Sequence, residues 1–231
     1  LRPEGIEWPL REDGSPSFKL ELLTAANGID HGQAHDALAD VRATIALARL
    51  IKEKQPKLFD YAFSLRQKAH VIKQINLQQL TPLVHVSSKI PASQGCCTWI
   101  LPVAQHPSNP NAIICVDLSK DPQAILNENA ETLRSLLYAR QESFEEGQQR
   151  PGIKLIHINR SPFITTAKAL TEDNADRLGL NRDQCLENYK RLAEDNAWRD
   201  TLIELYNEPH EDSEVDADHA LYSGGFLTNE E

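Results

Sequence analysis

A chain of 231 residues with 40% hydrophobic residues has enough apolar material for one large or two small cores, and with a mean hydropathy of −0.47 and no apolar run near the ~18 residues of a membrane helix it does not read as a membrane protein. Its net charge of −10 argues against a protein that coats nucleic acid by bulk electrostatics. Four Cys, at 96, 97, 115 and 185, form no Cys-x-x-Cys pair and the eight His form no i, i+4 pair on a helix, so a structural zinc is disfavoured and free thiols in a reducing cytoplasm fit best.

Residues 1 to 16, rich in Pro, Gly and charge, read as a loop. A short helix follows, with Ser17 placed as N-cap and Gly28 as the stop beyond its end. The next helix is expected from Asp36 to Lys54, where Ala, Leu and Arg dominate and no Gly or Pro intervenes. At about 100° per residue Leu38, Val41, Ile45 and Ala48 share one side, and Asp40 extends it. A carboxylate among apolar neighbours needs a cation, a hydrogen-bond set or a proton. His35 can face the same site only from ahead of the first turn. His35-x4-Asp40 alone fits two readings equally: a base and a metal ligand, or a surface imidazole beside a carboxylate paired with Arg.

Gln55-Pro56 ends that helix and marks a domain boundary. Leu58 to Ile75 reads as one helix, and from Arg49 to Lys73 seven Lys and Arg face only Glu53 and Asp60. That basic strip suits a strand of nucleic acid held in a groove or, on charge alone, an ordinary solvated face. Beyond Thr81 the runs at 83–86, 99–103, 112–116 and 153–158 read as strands, with a turn at 107–111, a helix around 128–141 and Trp99 in the core. Thr171 opens the last helical section, and Asn181 caps a helix reaching about Leu205. Residues 208 to 219 are acidic and read as a solvated linker. The chain begins at Leu1 and contains no Met, which predicts a piece of a longer protein.

A short helix ending in Gly28-Ile29, a brief loop, then Ala34-His35-Asp36-Ala37-Leu38-Ala39-Asp40-Val41 and a long apolar helix resembles the last motif of the DEDD exonucleases that carry a histidine there. Leu1-Arg2-Pro3-Glu4-Gly5-Ile6, Pro56-Lys57-Leu58-Phe59-Asp60-Tyr61, Pro82-Leu83-Val84-His85-Val86-Ser87 and His157-Ile158-Asn159 extend the resemblance along nearly the whole chain to the bacterial exodeoxyribonuclease I family. It implies an α+β / α/β architecture: residues 1–55 as the C-terminal helices of an RNase H-like exonuclease domain, 56–207 as an SH3-like β-barrel domain with inserted helices, and 208–231 as an acidic linker running into a helical domain. It also implies magnesium-dependent 3′-5′ degradation of single-stranded DNA to mononucleotides, in DNA repair and recombination.

In that resemblance His35 is the base that takes the proton of the attacking water, and Asp40 is a ligand to one of two Mg2+ ions. Arg2, Lys19, Tyr61, Lys68, Asn111, Lys154 and Asn159 match positions that contact the DNA strand. Tyr61 is equally well read as a core edge, and the three residues of the sheet domain as turn or edge residues. Lys19 stands where Arg is usual, which keeps charge and loses bidentate geometry. The expected partners are single-stranded DNA and the acidic C-terminal tail of single-stranded-DNA-binding protein, with no membrane. Thr171 and Ala193 stand where that tail's basic contacts are expected. The family's Asp-x-Glu strand finds no counterpart in residues 1 to 34, so the chain alone is expected to be inactive. The competing reading is a non-catalytic module that binds single-stranded DNA or its binding protein.

Overall fold

The computed structural model describes residues 4–30, 37–144 and 148–207. His35, Arg2 and the acidic stretch after Asn207 lie outside the described residues.

Before the first helix the chain doubles back on itself. Leu10 bridges Pro16, Asp13 accepts from the Ser15 amide at 2.9 Å, and the Asn27 side chain exchanges two hydrogen bonds, 2.8 and 2.9 Å, with the backbone of Glu7. Helix α1 (Leu20–Ala26) therefore starts later than expected: Ser17 is buried in this turn with its N–H on the Pro9 carbonyl (2.7 Å), and Lys19 holds the cap position without a side-chain bond. Gly28 closes α1 at φ +66°, a conformation that costs other residues a Cβ clash.

Helix α2 (Ala37–Lys54) reverses the expected face. Ala43 is the residue it buries completely, whereas Leu38, Val41 and Ile45 are 55%, 54% and 46% exposed. The helix packs on α1 and on α3 (Pro56–Ser64) through its small side, where alanine lets the backbones approach; the wide aliphatic stripe is left outward. Asp40, in the first turn, is half-buried and has no buried large apolar neighbour on its own helix, so the expected enclosure of that carboxylate is corrected.

Pro56 is the first residue of α3, where its missing N–H costs nothing. The single helix expected over 58–75 is broken at Leu65–Gln67, and α4 (Lys68–Ile72) resumes at a new angle that lets both Leu65 and Val71 reach the core.

Five strands, β1 (Leu83–Val86), β2 (Cys97–Gln105), β3 (Ala112–Asp117), β4 (Ile153–His157) and β5 (Phe163–Thr166), form one antiparallel sheet in the order β4-β3-β2-β1-β5. A register shift between Pro102 and Ala104 bends β2, an accommodation that also places a proline without a ladder N–H. Both faces are covered, which is why the strands are apolar runs and not alternations. Val84, Trp99, Leu101 and Ile114 face the layer of α5 (Gln123–Asn127), α6 (Ala130–Tyr138), α7 (Glu172–Arg177), α8 (Arg182–Glu194) and α9 (Ala197–Leu205). Leu83, Ile100, Ile113 and Ile164 face Leu65 and Val71 on the other side.

The helices expected to open at Thr171 and Asn181 are capped by those side chains, which accept from the Asn174 and Gln184 amides, and α6 is capped by Asn129, which accepts from Thr132. The helix opened by Asn181 stops at Glu194, because Asp195 turns its carboxylate onto the Ala197 amide (3.0 Å) and α9 begins afresh.

Candidate nucleic-acid interface

Polarity in this fold gathers where the sheet's covered faces run out. At one end, the turn between β2 and β3 is held by His106, whose Nδ1 accepts from the amides of Ser108 (3.2 Å) and Asn109 (3.1 Å). Asn109 in turn accepts from the Asn111 amide at 3.0 Å, and the Asn111 carbonyl accepts from Ile158 at 2.8 Å just before Asn159. Lys68, at the first turn of α4, donates to the Asn111 side chain at 2.7 Å. Three residues that match strand-contacting positions, Lys68, Asn111 and Asn159, thus stand at one corner, with Arg160 exposed beside them. An ammonium, two amides and a guanidinium on turns are the donor set that a phosphate backbone takes.

Lys154 lies elsewhere, three residues and roughly 10 Å along β4 from His157. Its ammonium is 3.5 Å from Asp117, a carboxylate only 6% exposed that also accepts from Thr98 (2.6 Å) and from the Ser119 hydroxyl (2.7 Å) and amide (3.1 Å). On the neighbouring strand pair, His85 is buried and donates through Nδ1 to the Phe163 carbonyl at 3.1 Å. Burial, with the Lys154 ammonium adding to it, holds the His85 imidazole below its ordinary range. Lys154 is therefore first a partner of Asp117 and only half-exposed, and it does not join the Lys68 corner.

Tyr61 meets a third environment. Its hydroxyl donates to the Ile164 carbonyl at 2.6 Å, and its ring meets Phe163 edge-on at 5.8 Å. It lines a cavity of about 550 Å³ between α3, β5 and the start of α7, with Lys57, Lys168 and Thr171 on the rim. Sequence reasoning missed β5 and, with it, Phe163 and Lys168. The signal was the Ser161-Pro162 turn followed by Phe163-Ile164-Thr165-Thr166, a β-branched run. Lys19 is exposed at the start of α1.

For the metal, the donor set decides. Among the described residues no three His, Cys, Asp or Glu side chains come together, so Asp40 is not part of a three-ligand cluster there. Burial pushes the Cys97 thiol up to about 11 and that of Cys185 up to about 12, which disfavours their thiolates at neutrality.

Residues 66–208 match the exonuclease I SH3-like domain. The chain belongs to the bacterial exodeoxyribonuclease I family. It is 46% identical over 227 residues to exodeoxyribonuclease I of Escherichia coli K12, covering 98% of this chain and 48% of that protein. Its structure superposes on E. coli exonuclease I in complex with a dA16 oligonucleotide at a TM-score of 0.92 and 44% identity, over 100% of this chain and 49% of the other. An ExoI/SSB-Ct complex matches at a TM-score of 0.88 and 43% identity, over 100% and 47%. The chain spans about half the length of the relatives it matches.

Proposed function

We propose that this chain is the part of a 3′-5′ exodeoxyribonuclease for single-stranded DNA that carries the last catalytic motif and the strand-gripping sheet domain, and that on its own it binds DNA without cutting it. The contact of Lys68 with Asn111 beside Asn159 carries the reading. It joins α4 to the β2–β3 turn and offers donors, in a protein of net charge −10, from a locally basic segment. Family membership supports the rest: His35 as the base that accepts the water's proton, Asp40 as one carboxylate of a magnesium site, and a role in cytoplasmic DNA repair and recombination. The remaining carboxylates belong to the longer protein. The outward stripe of Leu38, Val41 and Ile45 supports the same view, because aliphatic side chains at half exposure suit a helix with a further layer of protein against it.

The test is an assay of residues 1–231 with labelled single-stranded DNA and magnesium. Binding is expected, weakened by raised salt and by Lys68→Ala and unchanged by Asp40→Asn, with no nucleotide released. Release above a His35→Ala control would overturn the proposed inactivity, and binding indifferent to Lys68→Ala would overturn the assigned corner.

A second reading, docking of the acidic tail of single-stranded-DNA-binding protein, is favoured by the cavity at Tyr61. Lys168 lies three residues before Thr171, where a basic residue was expected, and lines the cavity together with Lys57; both supply positive charge for carboxylates, and Phe163 adds apolar lining. Lys168→Ala is expected to weaken binding of a labelled tail peptide, measured by anisotropy, and to leave DNA binding unchanged.

A further inference from the structure

On α3 the residues one turn apart from each other and opposite Tyr61 are Phe59 and Phe63. Their rings are stacked, 6.1 Å between centroids and 13° between planes, and neither belongs to the sheet's two cores. Phe63 is 54% exposed. A cation closes each end of the pair. Lys52 of α2 lies 5.7 Å from the Phe59 ring, and the Arg66 guanidinium lies over Phe63 at 4.0 Å. Among the described residues Arg66 has no carboxylate partner. The result is a column of two offset, near-parallel rings, each with a cation beside it, and the guanidinium lies over the more exposed ring.

Aromatic pairs with this exposure are ordinarily turned inward, and cations ordinarily pair with carboxylates, so packing alone does not account for the column. Its chemistry matches an unpaired nucleotide: a guanidinium plane held flat on an aromatic ring stacks on a base regardless of sequence, and its N–H edge is left for phosphate. Arg66 is two residues from Lys68, at most about 7 Å between Cα atoms, so the column continues the corner described above. We propose that this column is a stacking end-plate for a base of single-stranded DNA whose backbone runs on to Lys68 and Asn111, with Arg66 giving its outer face to the base and its edge to the adjoining phosphate. The proposal rests on the assigned corner as the place where the strand is held. An acidic peptide would use the charges and leave the rings idle.

Anisotropy titrations of a labelled oligothymidylate against salt test it, with thermal midpoints measured alongside. Arg66→Lys keeps charge and removes the plane, and Phe63→Leu keeps apolar bulk and removes the ring. Each is expected to weaken binding about five- to tenfold while leaving the salt slope unchanged. Lys68→Ala is expected to weaken binding and lower the salt slope by about one. Wild-type affinity in Arg66→Lys would overturn the stack, since any simple charge contact survives that exchange. So would a Phe63→Leu protein with a lower thermal midpoint and unaltered affinity, because the column is then packing only. Losses in Arg66→Lys and Phe63→Leu with none in Lys68→Ala would sink the corner and leave the end-plate standing.

Discussion

The sheet with its two helical covers and the α1–α2 pair are built from similar aliphatic residues and use them in opposite ways. In the sheet, Leu101 and Ile114 are fully buried, and even the polar Thr98 and Asp117 are enclosed with partners. On α2 Leu38, Val41 and Ile45 face outward, Leu47, Leu50 and Ile51 are half-buried, and the one side chain fully buried is an alanine, Ala43. The difference teaches that amphipathicity tells how many faces a helix has to satisfy, and not which neighbour satisfies them. The sheet region satisfies its own; α2 satisfies only the side toward α1 and α3.

That contrast breaks or sharpens under substitution. The largest effect is expected from Leu101→Ala, which empties a site with no exposure and no room to collapse, lowering stability by about 3–5 kcal/mol in urea unfolding. Asp117→Ala comes next, at about 2–3 kcal/mol, since it strands the Thr98 and Ser119 hydroxyls and leaves the Lys154 ammonium without its carboxylate. A smaller, pH-dependent effect belongs to His85. Its folded form is held below the ordinary imidazole value, so the unfolded chain binds the proton more readily and stability falls as pH drops below about 6.5. The urea midpoint should decline between pH 6.5 and 5, and less so in His85→Gln. The smallest is Leu38→Ala, within about 0.5 kcal/mol, because its side chain is already half in water. A large loss there would mean that the α2 stripe is covered after all.

Much of the sheet was legible because both of its faces are buried. The run from Ala112 stands out as an unbroken apolar stretch, and Thr171 and Asn181 announce their helices. β5 was not, since half of Phe163-Ile164-Thr165-Thr166 is threonine, no apolar run marks it, and it is held by pairing with the distant β1. The break at Leu65–Gln67 was hidden because good helix formers carry on through it, and only the need to bury both Leu65 and Val71 turns the chain. At the site, residue types and resemblance picked out Lys68, Asn111 and Asn159 one by one; their grouping at one corner comes from the structure. They did not show that Lys154 would be engaged by Asp117, a pairing between strands that no local pattern encodes. Nor did charge counting reveal the column on α3, which depends on ring orientation.

The pairing of β5 sets an order of events during synthesis. β1 is made early, yet its partner in the register Leu83↔Thr166 and Val86↔Phe163 emerges some eighty residues later, after every other strand. Until then β1 has a bare edge, and the Tyr61 hydroxyl has no Ile164 carbonyl to hold. A nascent chain that has emerged only as far as residue 162 would therefore display a four-stranded intermediate with α3 unlatched and an open β1 edge for a chaperone to grip.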